Sequence, residues 1–324
     1  MLLPLSQIIS LVHAHLYSAR LTIMNKPKAI AIVGPTSSGK TTLAIEIAKK
    51  FDGEVISTDS RQVYRGLDLG TGKVTPQEMD GVKHHLIDII NPDRTYTASE
   101  FELDATAAIM DIRSRGKVPI IAGGTFFYLD MLRGIHQPAR VPPDENFRLG
   151  LMGYSTDELF SKLETSDPDR AGTIDAKNRP RLVRALEIIN SLGHVPKVKK
   201  VESPYDWLVI GIDIGRIRLH QNIHDRLHER LDNGMVAEVE NLHKNGLSYE
   251  RMHALGLEYR YIAMCLKHEI TYSVMINKLE TKIRQFAKRQ MTWLKKDKEI
   301  EWFKPEDKDL VFKRVEEFLY PTNS

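Results

Sequence analysis

Cysteine is nearly absent. The 324-residue chain holds one, Cys265, so no disulfide forms within it and no cysteine-rich zinc module is built. That usage fits a reducing compartment and sets the expectation of a cytoplasmic protein. No uninterrupted apolar run is long enough to span a membrane, so no membrane partner is expected. Strong net charge is lacking as well: 46 Lys and Arg stand against 43 Asp and Glu, a formal balance of +3. Any nucleic-acid surface therefore has to come from local clustering. Internal repeats and low-complexity tracts are missing too. Residues 1–23 carry no acid and one cation, Arg20. A secretory signal needs positive charge ahead of its apolar core, and none is there. The stretch reads as a dispensable upstream extension, with Met24 as a start just before the first strand; a transit peptide is the weaker competing reading.

What is present organises around one loop. Ala29-Ile30-Ala31-Ile32-Val33 is a short run of strand formers, and Thr42 to Lys50 has the apolar spacing of a helix. Between them stands Gly34-Pro35-Thr36-Ser37-Ser38-Gly39-Lys40-Thr41, the G-x-x-x-x-G-K-[ST] pattern of a phosphate-binding P-loop. Gly34 and Gly39 release the backbone from side-chain sterics, so successive N–H groups can form an anion nest. The following helix points its positive end at the same spot. Lys40 adds a point charge, and the Thr41 hydroxyl is a candidate ligand for Mg²⁺.

Gly53 to Thr58 reads as a second strand, ending in Asp59-Ser60-Arg61-Gln62. An acid at the carboxyl end of a strand in an open parallel sheet lies where ligands bind. Asp59 is thus a candidate base or Mg²⁺ partner; equally it is a candidate N-cap for a helix from Gln62 onward. Gly66, Gly70 and Gly72 suggest close backbone approach to something. His84-His85 have no carboxylate or cysteine at a recognised ligand spacing, which favours a structural role over a metal site; the apolar run Leu86 to Ile90 follows. A helix starts at Thr97 or Ser99 and ends at Gly116. Val118 to Ala122 is another strand, closing on Gly123-Gly124-Thr125 where a P-loop ATPase often carries an acid.

Beyond Arg140 the texture changes. Val141-Pro142-Pro143-Asp144 reads as a linker, with Arg148 just past it. Residues 155–200 read helical and carry Arg179, Arg181 and Arg184. This stripe is either a solvated face or a lid over an anion. Trp207 to Ile214 returns to strand, and a long helical region runs from about Arg216 to Lys298. Within it Leu279, Ile283, Phe286 and Leu294 share one side. Lys278, Lys282, Arg284, Lys288, Arg289, Lys295 and Lys296 line the others, with Glu280 as the only acid between 278 and 296. Contact with a phosphate backbone and plain solvation are the competing readings. Glu299 to Phe303 reads as a last edge strand and 306–319 as a closing helix. The fold expected is α/β, a P-loop NTPase-like parallel sheet flanked by helices. It spans 24–324, with helical insertions at roughly 140–200 and 230–280.

Taken in order, G-P-T-S-S-G-K-T, V-I-S-T-D-S-R-Q-V-Y-R-G-L-D-L-G-T-G-K, H-H-L-I-D, A-G-G-T-x-x-Y, R-L-V-R-A-L-E and Q-F-A-K-R-Q-M-T-W-L form a selective set. From about Lys28 to Trp302 the chain closely resembles the tRNA dimethylallyltransferases, also called tRNA isopentenyltransferases. The resemblance implies a Mg²⁺-dependent enzyme that moves the dimethylallyl group from dimethylallyl diphosphate to N6 of the adenine at tRNA position 37, beside the anticodon. It implies that Gly34, Pro35, Thr36, Ser37, Ser38, Gly39, Lys40 and Thr41 hold the diphosphate. Asp59 would be the general base, with Thr125 on the diphosphate and Arg148 near the reacting centre. Asp59, Ser60, Arg61 and Gln62 would meet the target nucleotide. Arg179, Pro180, Arg181, Leu182, Val183 and Arg184, together with Lys282 and Arg289, would contact the anticodon stem-loop. The enzyme would act as a monomer. The family's Gly-Tyr-Lys or Gly-Tyr-Arg is replaced here by Gly256-Leu257-Glu258-Tyr259-Arg260, and no eukaryotic-type C-terminal zinc finger is seen, which implies a bacterial type. The rival reading is a small-molecule P-loop kinase, which would consume ATP and need no RNA.

Overall fold

Short apolar runs alternating with helices call for parallel strands joined by crossovers on the faces of one sheet. The computed structural model describes residues 26–197 and 200–321, and the extension read at 1–23 lies outside them. Six strands form the sheet: β1 Lys28–Val33, β2 Gly53–Ser57, β3 His84–His85, β4 Val118–Ala122, β5 Asp206–Ile212 and β6 Ile300–Phe303. Their order is β3-β2-β4-β1-β5-β6, and every pairing is parallel. β1 sits inside the sheet, and its Ala29, Ile30, Ala31 and Ile32 are fully buried. This is why it reads as an unbroken apolar run rather than an alternating one.

The P-loop helix is α1 Lys40–Lys50, and α2 is the short turn Pro76–Met79. α3 spans Ala98–Ser114, capped by Thr97, whose hydroxyl accepts from the Glu100 N–H while the Glu100 carboxylate reaches back. α4 is Phe126–Leu132. The segment beyond the linker folds as α5 Glu145–Gly150, α6 Thr156–Ser166, α7 Pro168–Ala171 and α8 Arg179–Leu192. These helices enclose an apolar core of their own around Leu151, Leu159, Leu163, Leu182, Ala185 and Leu186. The second helical stretch comprises α9 Arg216–Asp232, α10 Met235–Lys244, α11 Tyr249–Leu255, α12 Leu257–Leu266 and α13 Tyr272–Leu294, with α14 Lys308–Leu319 after β6. It has no separate core. Leu227, Met235, Val239, Met252, Tyr259 and Leu279 join the cluster on the same sheet face as Ala31 and Ile121. The other face packs Ile30, Ile32 and Ile210 against α1 and α14.

The strand beginning at His84 ends at His85, because Leu86 (φ 62°) and Asp88 (φ 55°) take left-handed backbone geometry inside the apolar run. Among the described residues no helix is long and apolar enough to cross a membrane.

Candidate active site at the strand ends

The strand order puts β2, β4 and β1 side by side. Their carboxyl ends carry Asp59, Gly123-Gly124-Thr125 and the P-loop, so three motifs far apart in sequence become neighbours. Backbone contacts make this tight. A Cβ added to Gly123 would lie 2.6 Å from the Thr58 carbonyl carbon. The Thr125 N–H donates to the Thr58 carbonyl at 3.0 Å, and the Ser60 N–H donates to Thr125 Oγ1 at 3.1 Å. Asp59 Oδ1 accepts from the Arg61 N–H (2.8 Å) and the Gln62 N–H (3.4 Å). It closes a turn, as the capping reading requires, yet no helix follows. Among the described residues Oδ2 accepts no hydrogen bond, so the carboxylate keeps an oxygen for chemistry.

Gly39 (φ 90°) caps α1 with no side-chain hydrogen bond, and the first turn of α1 holds no acid. The helix start therefore offers its N–H groups to an outside anion. Lys40 lies beside it, and its pKa is pushed down to about 8, first by burial and then by the Arg226 charge, with Asp59 pulling the other way. Among the described residues its ammonium donates only to the Pro35 carbonyl, at 3.3 Å. A cavity of about 960 Å³ opens here, lined by Ser37, Gly39, Lys40, Thr41, Asn222 and Arg226 among others. Asp59 and Thr125 lie outside that wall, so the cavity is the mouth of the phosphate side rather than of the whole site.

Helices from the carboxyl half hold these loops. Gln290 on α13 is 4% exposed; its Oε1 accepts from the Thr36 N–H (2.8 Å) and its Nε2 donates to the Gly124 carbonyl (2.9 Å). From α9, Asn222 Nδ2 donates to the Ser37 carbonyl (3.1 Å) and Arg226 to the Gly72 carbonyl (2.9 Å). The Gly72 carbonyl also takes Gln62 Nε2 at 3.3 Å. Glu238 on α10 accepts from the N–H groups of Asp68, Leu69 and Gly70 and from the Tyr259 hydroxyl. A Cβ on Gly70 would lie 2.5 Å from Tyr259 Cζ, and one on Gly72 would lie 2.9 Å from Arg226. The close approach expected at this glycine-rich loop is thus to the protein's own side chains.

The arginine stripe resolves into separate jobs. Glu187, 2% exposed, accepts from the Asp144 N–H (2.8 Å), from Arg148 Nε (2.8 Å) and Nη2 (3.1 Å), and from Arg184. Burial pushes its carboxyl up, but the Arg148 hydrogen bond, the Asp144 N–H and Arg184 hold it below the ordinary range. Among the described residues no hydrogen bond joins Arg148 to the P-loop or to the Asp59 turn. Arg179 donates to the carbonyls of Leu151, Met152 and Tyr154, tying α8 to the end of α5. Leu182 is buried, Pro180 stands in the first turn of α8, Val183 is half-buried and Arg181 is exposed.

Along α13, Met275, Leu279, Ile283, Ala287, Gln290 and Leu294 face inward. Phe286 lies at the edge of this face, where it was expected within it. Lys278, Lys282, Lys288, Arg289, Lys295 and Lys296 are exposed. Glu280, the only acid of the stretch, is paired with Arg284, so the outward face is basic. His85 hydrogen-bonds Glu54 at 2.7 Å and His84 the Val82 carbonyl at 2.9 Å, which makes both structural.

A family model described as IPP transferase matches residues 62–297. The chain belongs to the IPP transferase family. A tRNA dimethylallyltransferase of Oceanobacillus iheyensis is 37% identical over 303 residues, covering 91% of this chain and 96% of that one. One from Staphylococcus aureus (strain JH9) is 40% identical over 298 residues, covering 88% and 95%. A solved tRNA delta(2)-isopentenylpyrophosphate transferase from Staphylococcus epidermidis superposes with a TM-score of 0.68 at 36% identity, over 92% of this chain and 100% of that one. A eukaryotic dimethylallyltransferase described as acting on tRNA gives a TM-score of 0.79 at 26% identity, over 92% and 81%. The sheet and its P-loop are those of this family, a P-loop NTPase-like fold.

Sequence reasoning missed Gln290, Asn222, Arg226, Glu238 and Glu187. Two of them stood inside recognised motifs, Gln290 in Q-F-A-K-R-Q and Glu187 in R-L-V-R-A-L-E, and a polar residue on an apolar helix face was the available signal. Asn222 and Arg226 had no motif. The departing stretch Gly256 to Arg260 starts α12 with its residues turned inward: Glu258 pairs with Arg230 (3.1 Å), Tyr259 is buried and Arg260 donates to the His253 carbonyl.

Proposed function

We propose that this IPP transferase moves the dimethylallyl group from dimethylallyl diphosphate to N6 of the adenine next to the anticodon, tRNA position 37, and releases diphosphate. The observation that carries the reading is the adjacency of an anion nest and a carboxylate with an uncommitted oxygen, on neighbouring strand ends. The allylic C–O bond breaks as the C–N bond forms, and the N6 proton passes to Asp59. An N6 amine is a weak nucleophile because its lone pair feeds the ring, so a positioned base matters as the bond develops. The leaving diphosphate gains charge where the α1 N–H groups and Lys40 already point. Thr125 fixes the Ser60 turn beside them. The Thr41 hydroxyl at the cavity wall suits a hard, oxygen-seeking cation, which is the fit Mg²⁺ needs; bound there with diphosphate oxygens, it would neutralise leaving-group charge. To reach this site, the adenine swings out of its stack, and the basic outward face of α13 and exposed Arg181 track the phosphates of the anticodon stem-loop. Arg148 acts from the insertion, oriented by Glu187. In this reading the enzyme works as a monomer in the cytoplasm. An ATP-dependent kinase is set aside, because the relatives are tRNA prenyltransferases and the β4 end carries Gly-Gly-Thr in place of an acid.

The test is Asp59→Asn. Asparagine keeps the shape and the turn but takes no proton, so single-turnover transfer to unmodified tRNA should slow by about 10²–10⁴-fold. Diphosphate binding should persist, and the defect should be insensitive to added Mg²⁺. A near-normal rate would reduce Asp59 to a turn residue. A defect that shrinks as Mg²⁺ is raised would make it a metal anchor.

A further inference from the structure

A cluster of metal-ligating side chains lies on the far side of α9 from the P-loop. His224 and His228 are one turn apart, so their rings share a face; the ring centroids are 4.4 Å apart. Across from them, on α13, stands Glu280, whose Oε1 is 3.3 Å from His224 Nδ1. One ligand atom from each of the three lies within 4.8 Å of the others. Four-coordinate zinc with bonds of about 2.0–2.2 Å sets its ligand atoms about 3.4 Å apart. Closing that difference needs small side-chain rotations, and His224, 46% exposed, is free to make them. The bonds of Glu280 to His224 and Arg284 both fall on Oε1, which leaves Oε2 to turn towards the imidazoles.

We propose that His224, His228 and Glu280 bind a transition-metal dication of the zinc type, which staples α9 to α13. Two imidazoles and one carboxylate are a donor set for zinc, cobalt or nickel rather than for Mg²⁺ or Ca²⁺, which take oxygen ligands. A fourth position faces solvent and is filled by water. The placement gives the staple a consequence. Asn222 and Arg226 precede His224 and His228 by two residues each, about 200° around the helix, and so look the opposite way. They hold the Ser37 and Gly72 carbonyls, while α13 holds the Thr36 N–H through Gln290. A metal joining the two helices stiffens both supports of the P-loop without touching substrate.

The experiment uses tag-free, EDTA-stripped full-length protein titrated with Zn²⁺ by calorimetry, with excess Mg²⁺ present throughout. The wild type should bind one equivalent. His224→Ala, His228→Ala and Glu280→Gln should each weaken binding at least ten-fold, while the exposed His194→Ala leaves it unchanged. Saturating Zn²⁺ should raise the Tm of the wild type and leave that of the His224→Ala/His228→Ala variant unmoved. Co²⁺ should give visible d–d absorption in the wild type that the double variant lacks. If the double variant fails to fold, the single variants and the Co²⁺ spectrum decide. Absence of Zn²⁺ binding by the folded wild type, or affinity undiminished in the variants, would overturn the proposal.

Discussion

Lys40→Met should yield a more stable protein that no longer holds diphosphate. The folded protein pulls this ammonium down from the ordinary 10.5 to about 8, with burial as the main cause and Arg226 next. At 1.36 kcal/mol per unit the cost of keeping the charge approaches about 3 kcal/mol. The cost is complete below pH 8, where folded and unfolded chains both carry the proton, and it fades as pH climbs towards 10.5. Lys40 is only half-buried at a cavity wall, so solvent screens part of it, and about 1–2 kcal/mol of gain is expected at pH 7. Methionine keeps the stem and loses one hydrogen bond, to the Pro35 carbonyl at 3.3 Å. Urea unfolding of the two proteins at pH 7 and at pH 10 measures the effect. The gain should be clear at pH 7 and small at pH 10. Added pyrophosphate should stabilise the wild type and not the variant. With the wild type, kcat/KM for dimethylallyl diphosphate should fall as pH rises through about 8, because the free enzyme loses the charge that meets the anion. A variant less stable than the wild type at pH 7, or a gain equal at both pH values, would refute the reasoning.

Gln290→Leu leaves the Thr36 N–H and Gly124 carbonyl without partners, so stability should drop by about 2–3 kcal/mol in urea unfolding, and the KM for dimethylallyl diphosphate should rise. The Arg115 hydrogen bond, working against burial and helped by His85, holds the Glu54 carboxyl down at about 2. Its contribution is whole above the unfolded value of 4.5 and is lost as pH falls towards 2, at up to about 1.4 kcal/mol per pH unit. Glu54→Gln should therefore be less stable at pH 7 and show a flatter stability profile across that window. Replacing Lys282 and Arg289 with Ala should raise the KM for tRNA and flatten its log–log salt dependence by about one unit for each phosphate no longer neutralised, with the KM for dimethylallyl diphosphate unmoved.

The parts of the site that sit inside one short segment were legible from residues alone. The P-loop carries its glycines, its lysine and its strand–helix context within a few residues, and the structure places it as read. The strand after Gly116 and the start of α3, capped by Thr97, one of the two candidates, were legible for the same reason: local sterics and capping decide them. Strand order was not. Nothing in the sequence says that β4 inserts between β1 and β2, and this insertion is what brings Thr125 to the Asp59 turn. The conformation of the apolar run after His85 was not legible either, because two of its residues sit at left-handed φ, a geometry held by tertiary bonds such as the Asp88 N–H to the Gln62 carbonyl at 3.1 Å. The arginine stripe was legible only in part. Its spacing shows which residues share a helix face, but a buried acid thirty-nine residues from Arg148 decides where the guanidinium groups point.

A P-loop is a length of backbone, and backbone alone does not keep a nest open for an anion. Here the loop is gripped from outside at successive residues, by Gln290 at the Thr36 N–H and by Asn222 at the Ser37 carbonyl. Ser37 itself sits at φ 62°, a geometry a non-glycine residue holds only when its surroundings enforce it. Both grips come from helices that lie after β5 in the chain, and one of those helices, α13, turns its basic face outward. In the proposed function the element that fixes the P-loop is thus also the one that meets the tRNA. If the loop holds the leaving diphosphate as proposed, fixing it before substrate arrives removes reorganisation from the moment the leaving group gains charge, which is where preorganised donors act most strongly. In the proposed reaction the sheet supplies the reacting groups, and the carboxyl-terminal helices hold the loops that carry them.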